Sequence, residues 1–186
     1  MAVAVSEDGM EMAETDSVQE QMNEAAFQDF YQLTAPGLRA FIRRAARNTA
    51  LADDIFQETF VRFLRAKLPV LDRRQMQAYL YKTAVSLLSD HWRRRKREQL
   101  WGLQMLFRSR TAEASSPSGD VDRLFRQLKP QEQALLWLAY VEGFEHREIA
   151  TALELSEKSV RVLLFRARKK LAGILTREGI APEERK

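Results

Sequence analysis

Between Glu145 and Leu171, the residues Ile149, Ala150, Leu153, Leu155, Val160 and Leu163 fall where two short helices crossing at a tight turn would bury them. Ala150 is small enough to let those helices approach. Glu154 holds the turn position where Gly is the easier residue, so a left-handed conformation is expected there at a cost of about 1 kcal/mol. On the far side of the second helix, Lys158, Arg161, Phe165, Arg166 and Arg168 face outward. A helix that is apolar inside and arginine-rich outside suits the major groove of DNA. The competing reading is an amphipathic hairpin with a solvated basic face.

Composition narrows the class. The chain has 186 residues, 45% of them hydrophobic, which excludes wholesale disorder and allows one ordinary domain or two small ones. Only seven Gly and five Pro interrupt long stretches of Ala, Leu, Glu, Arg and Gln, so an all-α fold is expected. There is no cysteine, which removes disulfides and thiolate metal sites. No apolar run reaches the length of a membrane span, and Met1 to Val5 lack the basic flank of a signal peptide; a cytoplasmic location is expected. Charge is unevenly placed. No Lys or Arg precedes Arg39, while Glu7, Asp8, Glu11, Glu14, Asp16, Glu20, Glu24 and Asp29 make the start acidic, leaving the remainder about 12 units positive. A basic body of this kind points to a polyanionic partner.

Residues 1–22 are polar, acidic and without periodicity, and are read as a disordered acidic tail. From Glu24, Phe27, Phe30, Tyr31, Leu38, Phe41, Ile42 and Ala45 recur at helical spacing, with Pro36 expected to break or kink that helix. A second helix is expected from about Leu51 to Ala66, burying Ile55, Phe56, Thr59, Phe60 and Phe63, and ending at Leu68-Pro69. A third, from about Arg73 to Leu100, should bury Leu80, Ala84, Leu87 and His91 and finish in a cationic collar, Arg93 to Arg97. Residues 103–119 lack helical pattern and contain Ala-Ser-Ser-Pro-Ser-Gly, the composition of a flexible linker. A second domain, 120–176, should hold four helices: Asp120 to Leu128, Pro130 to Val141, Glu145 to Ala152 and Ser156 to Ile174. Pro130 suits a first-turn position and Ser156 an N-cap. Residues 177–186 are read as a tail.

Three segments in this order resemble one family. Asp53-Asp54-Ile55-Phe56-Gln57-Glu58-Thr59-Phe60 resembles the D-x-x-Q-E-[TV]-F core-binding helix of bacterial sigma factors. Tyr79-Leu80-Tyr81-Lys82 through Asp90-His91-Trp92-Arg93-Arg94 resembles the promoter-melting helix that follows it. Glu142-Gly143 through Glu148-Ile149-Ala150 to Ser159-Val160-Arg161 and Arg166-Ala167-Arg168 resembles the minus-35-reading domain. Over residues 24–175 the chain is similar to an extracytoplasmic-function (ECF) sigma factor of the sigma-70 class. The chain departs from the family pattern at Tyr79, Lys82, Ser86 and Gln133, where Trp, Arg, Asn and Arg are common.

The resemblance implies two small helical domains, sigma domain 2 over 23–102 and a helix-turn-helix sigma domain 4 over 120–176. It implies a transcription initiation factor that binds core RNA polymerase, directs it to promoters and helps open them, without a cofactor and without catalysis. Asp54, Gln57 and Glu58 would dock on the coiled coil of the largest polymerase subunit. Tyr79, Lys82, Ser86, Trp92, Arg93, Arg94 and Arg95 would serve the minus-10 element and melting. Lys158, Ser159, Arg161, Val162, Phe165 and Arg166 would read the minus-35 element. Partners are then core polymerase and promoter DNA, duplex and melted, with an anti-sigma factor as a candidate third.

The residues carry a physical case of their own. Asp54, Gln57 and Glu58 lie at i, i+3 and i+4, so one helix face offers two carboxylates and an amide to a basic partner helix. The rival is a metal or acid–base site built on Asp53, Asp54 and Glu58, which lacks a neighbouring His. His91 and His146 are too far apart in sequence to argue for metal or triad chemistry. The chain has no G-x-x-x-x-G-K-[ST] loop, so strand opening must come from binding. Base–aromatic stacking returns about 1–3 kcal/mol per base, and Tyr79, Tyr81, His91 and Trp92 beside the collar have that composition, though their spacing also fits a buried stripe. About 18 linker residues extend at most roughly 60 Å, which allows two well-separated but tethered readers. The main rival function is a conventional helix-turn-helix repressor or activator acting without polymerase.

Overall fold

The structure is a computed structural model that describes residues 24–69, 71–102 and 120–180. Among these residues all regular structure is helical: α1 (Glu24–Ala45), α2 (Thr49–Arg65), α3 (Arg73–Gly102), α4 (Asp120–Phe125), α5 (Pro130–Tyr140), α6 (His146–Leu153) and α7 (Glu157–Arg177). The acidic start, the expected linker 103–119 and the last six residues lie outside the described residues.

Local chemistry sets the helix ends. Asn48 caps α2, its side-chain oxygen accepting from the Leu51 amide at 2.7 Å. Asp72 and Gln75 form a reciprocal box before α3: the Gln75 amide donates to the Asp72 carboxylate (2.8 Å) and the Asp72 amide to the Gln75 carbonyl oxygen (2.9 Å). Pro130 opens α5, as expected. Ser156 precedes α7, but its hydroxyl pairs with the Ser159 hydroxyl at 2.6 Å and not with a backbone amide. The expected break at Pro36 is absent. Helix α1 runs through it because Pro36 and Gln32, whose carbonyl loses its donor, both face solvent, while Phe30, Thr34, Leu38 and Phe41 hold the opposite side in the core.

Helices α1, α2 and α3 bury Leu38, Phe41, Ile42, Ile55, Phe56, Phe63, Leu80 and Ala84 between them. Phe30 stacks on Phe63 (5.5 Å between centroids), and Tyr31 and Phe56 meet Phe60 at 5.0 and 5.1 Å. Helices α4 to α7 bury Leu124, Leu128, Leu135, Leu138, Ile149, Val160 and Leu164. Gln133 lies inside this second core, its amide donating to the carbonyls of Phe125 (2.9 Å), the last residue of α4, and of Leu128 (3.0 Å) just after it. The sequence suggests two separated readers, yet the two halves pack on each other: α3 meets α5 and α6, and α1 meets α4 and α5. Phe41, Tyr81, Trp137 and Phe144 explain the closure. They converge with centroids 5.6–6.2 Å apart, and apart from one another they would expose a large aromatic surface.

Candidate nucleic-acid and polymerase interface

Helices α6 and α7 form the hairpin that the apolar spacing requires. Glu154 between them is left-handed (φ 52°, ψ 47°), and the Leu155 amide donates to the Ala150 carbonyl at 2.9 Å to close the turn. The Glu145 amide donates to the Glu148 carboxylate (2.7 Å), which sets the start of α6. Val160, Leu164 and Ala167 face inward; Leu155, Leu163 and Leu171 are half-buried. Lys158, Arg161, Arg166 and Arg168 are exposed, with Val162 and Phe165 at 49% and 57%, and Ser159 is half-buried. A Phe so open among arginines is an apolar contact of the kind that meets a thymine methyl.

On α2, Asp54, Gln57 and Glu58 are exposed on one stripe. Glu58 holds Arg62 at 2.7 Å, and Asp53 faces Arg39 (3.5 Å) and Arg43 (4.0 Å) of α1. Asp53 and Glu58 thus meet cations, and among the described residues no group of three or more His, Asp or Glu is placed to hold a metal.

Helix α3 separates its sequence-predicted residues. Tyr79 is half-buried against Phe63 (6.0 Å), and Tyr81 is fully buried. His91, expected inside, is exposed, because the inward stripe of α3 continues from buried Leu88 to half-buried Trp92 and Arg95 and leaves His91 beside it at the edge of a cleft. Ser86 is exposed, and Lys82 pairs with Glu154 at 2.7 Å. Arg93 pairs with Asp90 (2.5 Å) and Arg94 with Glu98 (3.2 Å). Lys96 lies 5.4 Å over the half-buried Trp92 ring. Trp92, Arg94, Arg95 and Lys96 line a cleft of about 650 Å³ whose other wall includes Asn48, Leu51 and Arg126.

Family comparison matches residues 30–98 to Sigma-70 region 2 and residues 118–171 to Sigma-70, region 4. The ECF RNA polymerase sigma factor SigF of Caulobacter vibrioides is 30% identical over 152 residues, covering 80% of this chain and 84% of that protein. The chain belongs to the ECF sigma factors of the sigma-70 family. RNA polymerase sigma factor CarQ of Myxococcus xanthus is 26% identical over 158 residues, covering 81% of this chain and 89% of its own. Two solved structures share the fold. One is the sigma factor RpoE of Bartonella quintana in complex with the anti-sigma factor NepR (TM-score 0.58, 19% identity, 81% of this chain and 96% of that one). The other is CnrH in complex with the cytosolic domain of CnrY (TM-score 0.61, 23% identity, 86% and 94%). As an ECF sigma factor the chain acts with RNA polymerase in transcription initiation, and the reading as a conventional repressor or activator is not favoured. Among the described residues no helix is long and apolar enough to cross a membrane.

Sequence spacing missed one group in this sigma factor, the contact between region 2 and region 4. The Glu142 carboxylate, after α5, accepts from the Tyr81 hydroxyl (2.8 Å), the Gln77 amide (2.9 Å) and the Trp137 indole (3.1 Å). Burial, with the Glu142 charge beside it, pushes the Tyr81 hydroxyl far above the ordinary phenol range, so it remains a donor. Left-handed Gly143 (φ 64°) turns the chain so that Phe144 also faces Tyr81. Arg74 lies 4.7 Å over Phe144 and 3.5 Å from the Glu148 carboxylate, and Arg44 pairs with Asp122 at 3.0 Å. The sequence signal was a Pro-Gly pair inside α1: a Cβ on Gly37 would stand 2.5 Å from a Glu142 carboxylate oxygen.

Proposed function

We propose that this ECF sigma factor divides initiation among three surfaces. Asp54, Gln57 and Glu58 dock core polymerase; Tyr79, Lys82, Ser86, Trp92, Arg93, Arg94 and Arg95 serve the minus-10 element and its melted strand; Lys158, Ser159, Arg161, Val162, Phe165 and Arg166 read the minus-35 element. Region 2 then spans 23–102, region 4 spans 120–176, and 103–119 link them. The observation that carries this reading is the placement of opposite chemistry on separate helices. An exposed acidic stripe on α2 suits a basic protein helix, while exposed arginines on α7 and at the end of α3 suit phosphate and base edges. The chain works as a regulatory subunit in the cytoplasm and carries no catalytic group of its own. The anti-sigma complexes of two structural neighbours support an anti-sigma factor as a further partner.

The docking surface is tested by reversing charge at Asp54 and Glu58 and titrating the labelled chain with core polymerase. The expected result is an affinity at least tenfold weaker with unchanged helical circular dichroism, a loss of about 1.4 kcal/mol or more. Unaltered affinity would remove the docking role from this stripe.

A further inference from the structure

The cleft of about 650 Å³ beside Trp92 is walled by the α1–α2 turn, the last turns of α3 and the passage from α4 to α5. Its volume lies within the range of small-ligand sites, about 300–1,000 Å³. Buried Ala46, Leu88 and Pro130 give it an apolar lining, and Trp92 adds a half-buried indole. Charge in the lining is one-sided. Among the described residues Arg47, Arg94, Arg95, Lys96 and Arg126 stand against a single carboxylate, Glu98, which Arg94 already engages at 3.2 Å. A solvated cationic face would carry such charge without the apolar concavity. The wall from region 4 adds a second signal. Arg126 Nη1 and Gln133 Oε1 are buried, and neither has a hydrogen-bond partner. The Gln133 amide nitrogen is fixed by its bonds to the Phe125 and Leu128 carbonyls, so the oxygen cannot change places with it without losing both. A buried N–H donor and a buried carbonyl acceptor left unmade in one wall cost the fold their desolvation, and a ligand edge that carries an acceptor beside a donor satisfies both. The edge of a nucleobase is such a group, its face suits an indole, and phosphates suit clustered cations.

We propose that this cleft binds a nucleoside polyphosphate, with the base against Trp92 and its edge toward Arg126 and Gln133, and the phosphates on Arg94, Arg95 and Lys96. The site stands without the assignment of Trp92 to the melted strand. Arg126 and Gln133 belong to region 4 and have no part in that assignment, so they separate a bound nucleotide from a captured strand.

The test is the anisotropy of a ribose-labelled fluorescent ATP titrated with the full chain in the absence of polymerase. Saturable binding with a Kd below about 100 μM is expected, and unlabelled ATP and GTP should displace the probe. Arg126→Ala and Trp92→Ala should each weaken binding at least about tenfold with unchanged circular dichroism. Lys96→Glu, at an exposed position, should weaken it as well and repeats the test where neither core is disturbed. Lys169→Ala removes an exposed cation outside the cleft and should leave binding unaltered. Tripolyphosphate should compete at least about tenfold more weakly than ATP, since it lacks the base. Absence of saturable binding, equal competition by tripolyphosphate, an equal loss in Lys169→Ala, or full affinity in folded Arg126→Ala means a cationic surface that reads no base, and overturns the proposal. A labelled single-stranded oligonucleotide separates the cleft from strand capture, and Arg126→Ala should leave its affinity unaltered. If Arg126→Ala weakens oligonucleotide and ATP alike, the cleft is part of the path of the strand, and the nucleotide site is overturned by that route.

Discussion

The Lys82 ammonium lies 2.7 Å from the Glu154 carboxylate, so the one non-glycine residue in a left-handed conformation among the described residues is also tied to α3 of region 2. Both side chains are open to solvent, and a pair of this kind is worth about 0–1 kcal/mol. The left-handed backbone of a Glu costs roughly 1–2 kcal/mol, against roughly 0.5–1 kcal/mol for the extra freedom a Gly loses on folding. Glu154→Gly is therefore expected to stabilise the chain by about 0.5 kcal/mol in urea unfolding. The gain should grow with salt, as the ion pair it forgoes is screened. A loss above 1 kcal/mol would show that the pair outweighs the strain.

Tyr81 gives the fold a defined response to alkali. Its hydroxyl is held above the ordinary phenol value first by burial and then by the Glu142 carboxylate, while in the unfolded chain it titrates near the ordinary phenol value of 10.0. The folded state holds the proton more tightly, so this contribution to stability is whole below about pH 10 and declines as pH rises beyond it. Unfolding free energies measured from pH 8 to 11 should fall more steeply for the native chain than for Tyr81→Phe, which has no proton to lose. Parallel curves would mean that the hydroxyl is not buried with the carboxylate.

Arg161 and Arg166 are exposed on the outer face of α7, with Val160, Leu164 and Ala167 behind them. If each is bidentate to a guanine, its replacement by Ala costs about 1–3 kcal/mol and relaxes the preference at one base pair. Binding of a set of singly substituted minus-35 duplexes by each variant measures this. An equal loss on every duplex reassigns the residue to phosphate contact.

Local rules read well in this sequence wherever one helix or one hairpin satisfies itself. The α6–α7 frame, left-handed Glu154 and Pro130 at the start of α5 all follow from periodicity and turn chemistry, and the structure has each of them. Helical spacing alone predicts His91 inside, yet three and four residues after Leu88 lie on either side of the inward line, and packing selects Trp92 over His91. Pro36 does not end α1, since a missing amide matters little when its acceptor, Gln32, faces water. The cluster of Tyr81, Trp137 and Glu142 was not legible at all. Its members lie up to 61 residues apart, and no period relates positions that meet only when two regions pack.

The end of α3 carries two kinds of group that should fail differently. Arg93 and Arg94 are exposed, each paired with a carboxylate on its own helix, so replacing both with Ala leaves the fold intact. Their loss should weaken binding to every promoter and lower the salt slope, each lost phosphate contact removing about 0.9 from the log–log slope on duplex DNA. The aromatics divide further. Tyr79 packs on Phe63, so Tyr79→Ala should cost about 2–4 kcal/mol of stability and reveal little about DNA. Trp92 lies in the open cleft beneath Lys96, where truncation removes a stacking surface at smaller cost to the core. Folded Trp92→Ala should still bring polymerase to duplex promoter but need a pre-melted bubble for full transcription, because only the capture energy is gone. Permanganate footprints on paired and pre-melted templates decide it. Normal opening of fully paired DNA by this variant would return Trp92 to a packing role and leave strand capture to the cations alone.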